Sequence, residues 1–147
     1  MASIIVTRKH IANNISACFY LVDSACLGIK GTFFVFNIPF DELRKLMRKN
    51  PVEWIETSYE YVHNIIYASV KYAEQLGFEP HKDFSITKHF LEEDDDNIPL
   101  IEIKCGGKDG KPIYVNTGHE TLARERQIIN QLEKTAGEGN YKYMLIP

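Results

Sequence analysis

Asp23 interrupts the apolar stretch CFYLVDSACLGI near the point where a strand should end, and a carboxylate in such a place needs partners. One chemistry for it is a metal site, because a strand-borne aspartate with one or two acids from neighbouring elements holds Mg²⁺ through hard oxygen ligands. Glu60 or Asp83 could supply those acids, with Asp23 and Asp83 as metal candidates and His63 or His81 as general base. That constellation would make a metal-dependent hydrolase such as a phosphodiesterase. The other reading is local: Asp23 caps a turn or pairs with Lys30, since aspartate readily bonds nearby backbone.

His63 is flanked at i−4 and i+4 by Tyr59 and Tyr67, so its ring can stand between two phenols on one helix edge, as a pocket wall or as a hydrogen-bonded group at the core boundary. His81, Asp83 and His89 form an H-x-D-x5-H grouping beside Glu92, with ligand types that suit zinc. Unlike H-E-x-x-H, this spacing does not put both rings on one helix face, and helix capping by Asp83 explains the acid equally well.

Arg44, Lys45, Arg48 and Lys49 form the basic face of a short amphipathic helix, either solvated or set against an acidic partner or a nucleic-acid backbone. GGKDGK at 106–111 is no phosphate loop: it lacks the P-loop spacing, and Lys111 is followed by Pro112, so Asp109-Gly110 reads as a hairpin turn. The acidic run Glu92–Asp96 lacks the spacing of a calcium loop and reads as a solvated segment.

These residues must be placed by an α+β framework. Residues 15–38 are dense in β-branched and aromatic types and are broken by Gly28 and Gly31, which predicts a hairpin turning between those glycines; Ser3–Thr7 adds a third strand. FDELRKLMRKN predicts a helix with Phe40, Leu43, Leu46 and Met47 on one stripe. Asn50-Pro51-Val52-Glu53 offers the start of another. The clearest element runs from about Ser58 to Leu76, capped at Gly77 and laid across the first hairpin. That docking should bring LVDSACLGIK and GFEPHKDF side by side.

Beyond it, IPLIEIKC and PIYVN predict a second hairpin, Thr117-Gly118-His119-Glu120 a capping box opening a helix, and YKYMLIP a last strand. The expected architecture is one α+β domain over residues 1–147, an antiparallel or mixed sheet built from hairpins and covered by three to four helices.

LVDSACLGIK at 21–30 and HNIIYASVKYAEQLGFEPHKDF at 63–84 together resemble the paired L-V-D-x-x-C-L-G-x-K and G-F-x-P-H signatures of a bacterial protein family, over about a quarter of the chain. The resemblance implies a bacterial intracellular protein and carries no catalytic assignment. It directs attention to Asp23, Cys26, Lys30, His63, His81 and Asp83.

The 147 residues are 44% hydrophobic and 25% charged, ordinary for a globular domain large enough to fold without metal or disulfide. A formal charge of −3 argues against broad phosphate neutralisation, apolar runs are far too short to span a bilayer, and MASIIVTRKH does not read as a secretory leader. Three cysteines, Cys18, Cys26 and Cys105, read as reduced and packed, which fits a cytoplasmic location.

The expectation is a small accessory or protein-interaction domain with a protein partner, no membrane and no cofactor. Tyr59, Tyr61, Tyr67 and Tyr72 share one helix and cannot all face the core, and tyrosine is enriched at interface hot spots. The hydrolase using Asp23, His63, His81 and Asp83 is the alternative, and it alone requires a divalent metal. A weak nucleic-acid binder acting through Arg44, Lys45, Arg48 and Lys49 is the second alternative.

Overall fold

The first forty residues carry three runs dense in β-branched and aromatic side chains. In the computed structural model, which describes residues 1–50, 52–95 and 97–145, they form β1 (Ala2–Lys9), β2 (Asn14–Asp23) and β3 (Gly28–Pro39) of an antiparallel sheet ordered β1-β2-β3. Ile5, Phe19 and Phe33 stand in register across it, as do Ile4 and Tyr20. Because side chains alternate between faces, Ile4, Cys18, Tyr20, Val22 and Ile29 share the core face, while Ile5, Phe19, Leu21 and Phe33 share the opposite one.

The β2–β3 turn occupies Ser24–Leu27 and so precedes Gly28, instead of lying between Gly28 and Gly31. Asp23 is the reason. Its carboxylate accepts the N–H groups of Ala25 at 3.0 Å and Leu27 at 3.1 Å, which closes the turn as soon as β2 ends. Gly28 then has φ +71°, and a Cβ there would come within 2.9 Å of the Ala73 Cβ, so the strand can approach the helix above it only as glycine.

The amphipathic stripe after Pro39 forms α1 (Phe40–Arg48), whose Leu43 seals Ile15 and Ala17 on the sheet face opposite the main core. No helix starts at Asn50: residues 53–58 are irregular, and Pro51 of that expected start lies outside the described residues. The Trp54 indole donates to the Met47 carbonyl at 3.3 Å, folding the segment back on the end of α1.

The long helix α2 (Tyr59–Gln75) is N-capped by Ser58, whose hydroxyl accepts the Tyr61 N–H, and it ends at Gly77 with φ +86°. Its Val62, Ile66 and Val70 cover the core face of the sheet, together with Phe84 from the four-residue α3 (Phe84–Thr87) and Leu91. Its Ala73 and the following Leu76 and Phe78 join a second cluster with Cys26, Leu27, Tyr114, Ile128 and Leu132. The chain's two halves therefore meet on one helix.

The second hairpin does not form. Gly106–Lys111 makes the expected tight turn, with Gly110 donating to Gly107 and Gly107 to Lys111, but residues 101–105 are not a strand. Buried Asn64 on α2 holds that approach: its amide donates to the carbonyls of Glu60 and Pro99 and accepts the Ile101 N–H. β4 (Ile113–Asn116) pairs in parallel with β5 (Lys142–Leu145) after the crossover helix α4 (Leu122–Thr135). A βαβ unit thus stands where the second hairpin was expected, and the fold is α+β as the element pattern implied, with two separate sheets among the described residues. The last two residues of the expected YKYMLIP strand, Ile146 and Pro147, lie outside the described set.

Candidate functional site

Lys30 owes its direction to a β-bulge. Leu21 pairs with Gly31 and Val22 with Ile29, so β3 carries one residue more than β2 there, and that residue is Lys30. Its ammonium lies 2.7 Å from one Glu120 carboxylate oxygen, with the side chains only 11% and 9% exposed. Glu120 is free for this role because α4 starts later than Thr117-x-x-Glu120 suggested: Thr121 is the N-cap, accepting the Arg124 N–H at 3.2 Å.

The other Glu120 carboxylate oxygen and the Tyr114 hydroxyl are buried without a hydrogen-bond partner among the described residues. Desolvation, followed by the charges of Glu120 and Glu125, holds the Tyr114 proton well above the ordinary phenol range. Asn116 extends the network by donating to Glu125 at 2.6 Å and accepting the Gly118 N–H at 2.8 Å. Cys26 sits at its edge, its thiol pushed up to about 12 by burial and then by Asp23, with Lys30 opposing. This arrangement clamps the first hairpin to the βαβ unit.

LVDSACLGIK and GFEPHKDF do lie together. The His81 N–H donates to the Ile29 carbonyl at 2.9 Å, and Phe78 shares a core cluster with Cys26 and Leu27. The Asp83 N–H donates to His81 Nδ1 at 3.1 Å, while the Asp83 carboxylate occupies the N-cap position of α3 without making a cap bond.

His63 stands elsewhere, between Tyr59 and Tyr67 as the spacing implied, with ring centroids 5.9 and 4.7 Å away. Its Nε2–H donates to the Glu92 carbonyl at 3.0 Å, so that nitrogen holds its hydrogen against the backbone and is not a free base. His89 is exposed. Of the acidic run, Asp94 pairs with Lys71 at 2.5 Å, and Asp96 lies outside the described residues. Among the described residues no three His, Cys, Asp or Glu side chains gather as a metal-binding group, and both Asp23 oxygens already accept backbone N–H groups.

The four tyrosines of α2 divide unequally. Tyr59 accepts the Glu92 N–H, Tyr67 packs on His63 and Phe84, and Tyr72 donates to the Gly110 carbonyl, so three of them hold the chain's own loops while Tyr61 is exposed. The open aromatic surface comes instead from β3. Phe33 is 51%, Phe34 49% and Phe36 69% exposed, and Phe40, Leu21 and Ile11 are exposed as well. Phe33 stacks on Phe19 at 4.5 Å, and Phe36 meets His10 edge-on at 5.5 Å.

Beside this surface Arg44 lies 4.6 Å over the Phe40 ring, and Arg44, Arg48 and Trp54 line a groove of about 350 Å³. A larger groove of about 570 Å³ runs between Gly77–Glu79 and α4, lined by Arg124, Gln131 and Lys134. Neither groove contains Asp23, His63, His81 or Asp83. No helix among the described residues is long and apolar enough to cross a membrane.

Glu120, Tyr114 and Asn64 were not singled out by sequence reasoning. Glu120 carried only a capping signal, and nothing local marks a polar side chain that must cross to another element. Comparison with protein-family models, curated proteins and solved structures finds no match to this chain.

Proposed function

We propose that this chain is a small bacterial intracellular accessory domain that works by binding protein, and that its binding surface is the aromatic strand β3. One observation carries this reading: Phe33, Phe34 and Phe36 are 51, 49 and 69% exposed within four residues of one edge strand, Phe33 on one face of the sheet and Phe34 on the other. Large aromatics are the side chains from which interface hot spots are built, and leaving three in water has no structural benefit. The polar network of Lys30, Glu120 and Tyr114 supports the surface by fixing the strand that carries it.

The test uses the full chain as bait in host lysate, beside a Phe33→Ser/Phe36→Ser variant. A stoichiometric partner held by the parent chain and lost by the folded variant is the expected result. A strictly monomeric chain that retains no stoichiometric partner overturns the reading.

The Arg44, Arg48 and Trp54 groove favours a second reading, contact with a single-stranded nucleic acid through cationic and stacking groups. Retention on heparin or RNA should then fall with salt and vanish in Arg44→Glu/Arg48→Glu; unchanged retention removes it.

A further inference from the structure

We infer that the partner of β3 is a second copy of this chain, joined edge to edge through Gly31–Phe36 to make one continuous sheet ordered β1-β2-β3-β3-β2-β1. This rests on the interaction reading above and names its partner.

The edge determines what can cover it. β3 pairs only with β2, so its outer side presents a row of unpaired N–H and C=O groups. At the start of the strand that row is closed, because the Ile29 carbonyl accepts the His81 N–H, and Thr32 is held by a 2.9 Å bond from its hydroxyl to Thr87. At its end Asn37, with φ +52° and its N–H turned inward to the Ser16 hydroxyl of β2, breaks the extended run. Between these points no backbone bond outside the β2 ladder involves Gly31–Phe36 among the described residues. Only another extended strand supplies donors and acceptors at that repeat.

The side chains favour self-pairing. Proteins usually blunt such an edge with lysine, proline or a buried charge, yet GTFFVFNI carries none until Pro39. A strand meeting its own image doubles any charge it bears, and this window bears none, so the pairing meets no like-charge repulsion.

Antiparallel pairing about a two-fold places the axis perpendicular to the sheet. The face bearing Ile5, Phe19 and Phe33, which α1 covers at Ile15 and Ala17, in one copy then continues into the same face of the other. Phe33 of each copy meets the other's Phe33 directly or diagonally, extending the Phe19–Phe33 stack, and Phe34 does the same on the opposite face.

The area sets the strength. Three half-exposed phenylalanines per copy, at roughly 100 Å² of remaining surface each, give roughly 600 Å² for the pair before the backbone is counted, against about 1,200–2,000 Å² for a standard stable interface. The contact is therefore smaller than a standard stable interface, and the dimer is reversible and dissociates on dilution.

The experiment is sedimentation velocity and amide exchange on the full chain across a dilution series. The expected result is a species of twice the 16.9 kDa chain mass at high concentration, dissociating on dilution, with exchange in 31–36 slowing as the dimer forms. Phe34→Lys, an exposed site where the substitution leaves the core intact, should give a folded monomer with an unchanged melting temperature in dilute solution; Phe33→Lys repeats the test from the other face.

A chain that remains monomeric at ~500 μM overturns self-pairing, as does a dimer indifferent to both substitutions with unchanged exchange in 31–36. A monomer that still retains a stoichiometric partner through Phe33 and Phe36 leaves the interaction reading standing without self-pairing. A monomer that retains none ends both.

Discussion

Lys30 and Glu120 form an ion pair at 2.7 Å in which both side chains are about nine-tenths buried, and each is there through an irregularity: a bulge for Lys30 and a delayed helix start for Glu120. Desolvating two charges is costly, and it is offset only while both are present. The pair therefore acts as a registration point between two sheets, with a large penalty for losing half of it.

Lys30→Met should destabilise the fold by about 3–5 kcal/mol, because it leaves the Glu120 carboxylate buried and unpaired beside the Tyr114 hydroxyl. Adding Glu120→Gln should recover a substantial part of that loss. Urea unfolding of the two singles and the double checks this, and additive losses would show that the groups are not coupled.

Asp23→Ala should cost about 2 kcal/mol or more, since two N–H groups at a largely buried turn lose their acceptor. Asp23→Asn, which keeps one acceptor oxygen, should fall between. His81→Ala should cost less, because its contact with Ile29 is made by the backbone. An unchanged melting temperature in Asp23→Ala with loss of binding would instead mark a functional site.

Stability should fall in alkali. Folding raises the Cys26 thiol from its ordinary 9.0 to about 12, chiefly through burial. Below pH 9 both states keep the proton and the contribution is complete. Between these values the unfolded chain has released a proton that the folded chain retains, so stability declines by up to ~1.4 kcal/mol per pH unit from this group. Tyr20 and Tyr114, also raised by burial, act in the same direction at higher pH. Urea midpoints at pH 8, 9.5 and 10.5 should show the decline, and Cys26→Ala should reduce its slope while Cys18 and Cys105, also raised by burial, sustain the rest; an identical slope in the variant would acquit the thiol.

The sheet of three strands and α2 was legible because its signals are local. β-branched density, a helical stripe and a glycine stop need no knowledge of the rest of the chain. The failures have a common cause. IPLIEIKC reads as a strand until buried Asn64 claims the backbone at Pro99 and Ile101, and Glu120 reads as a capping acid until Lys30 takes it. Strand periodicity also does not state direction, so the parallel pairing of β4 and β5 was invisible beforehand. Tyrosines on α2 drew attention as surface aromatics, but their hydroxyls serve Glu92 and Gly110, and the exposed phenylalanines lay in a run that looked like core.

The turn at Ser24–Leu27 is stitched to late residues: the Gly106 N–H donates to the Ser24 carbonyl, the Ile113 N–H to the Ala25 carbonyl, and Lys30 meets Glu120. On the ribosome, the first hairpin emerges well before any of these partners has been translated. At roughly 5–20 residues per second, its turn and half-covered core wait several seconds for the segment that secures them. Sequence-distant closure of this kind slows folding and lengthens exposure. During that interval a nascent chain bearing an unprotected GTFFVF strand depends on chaperones, or on its neighbours on the same message, for its fate.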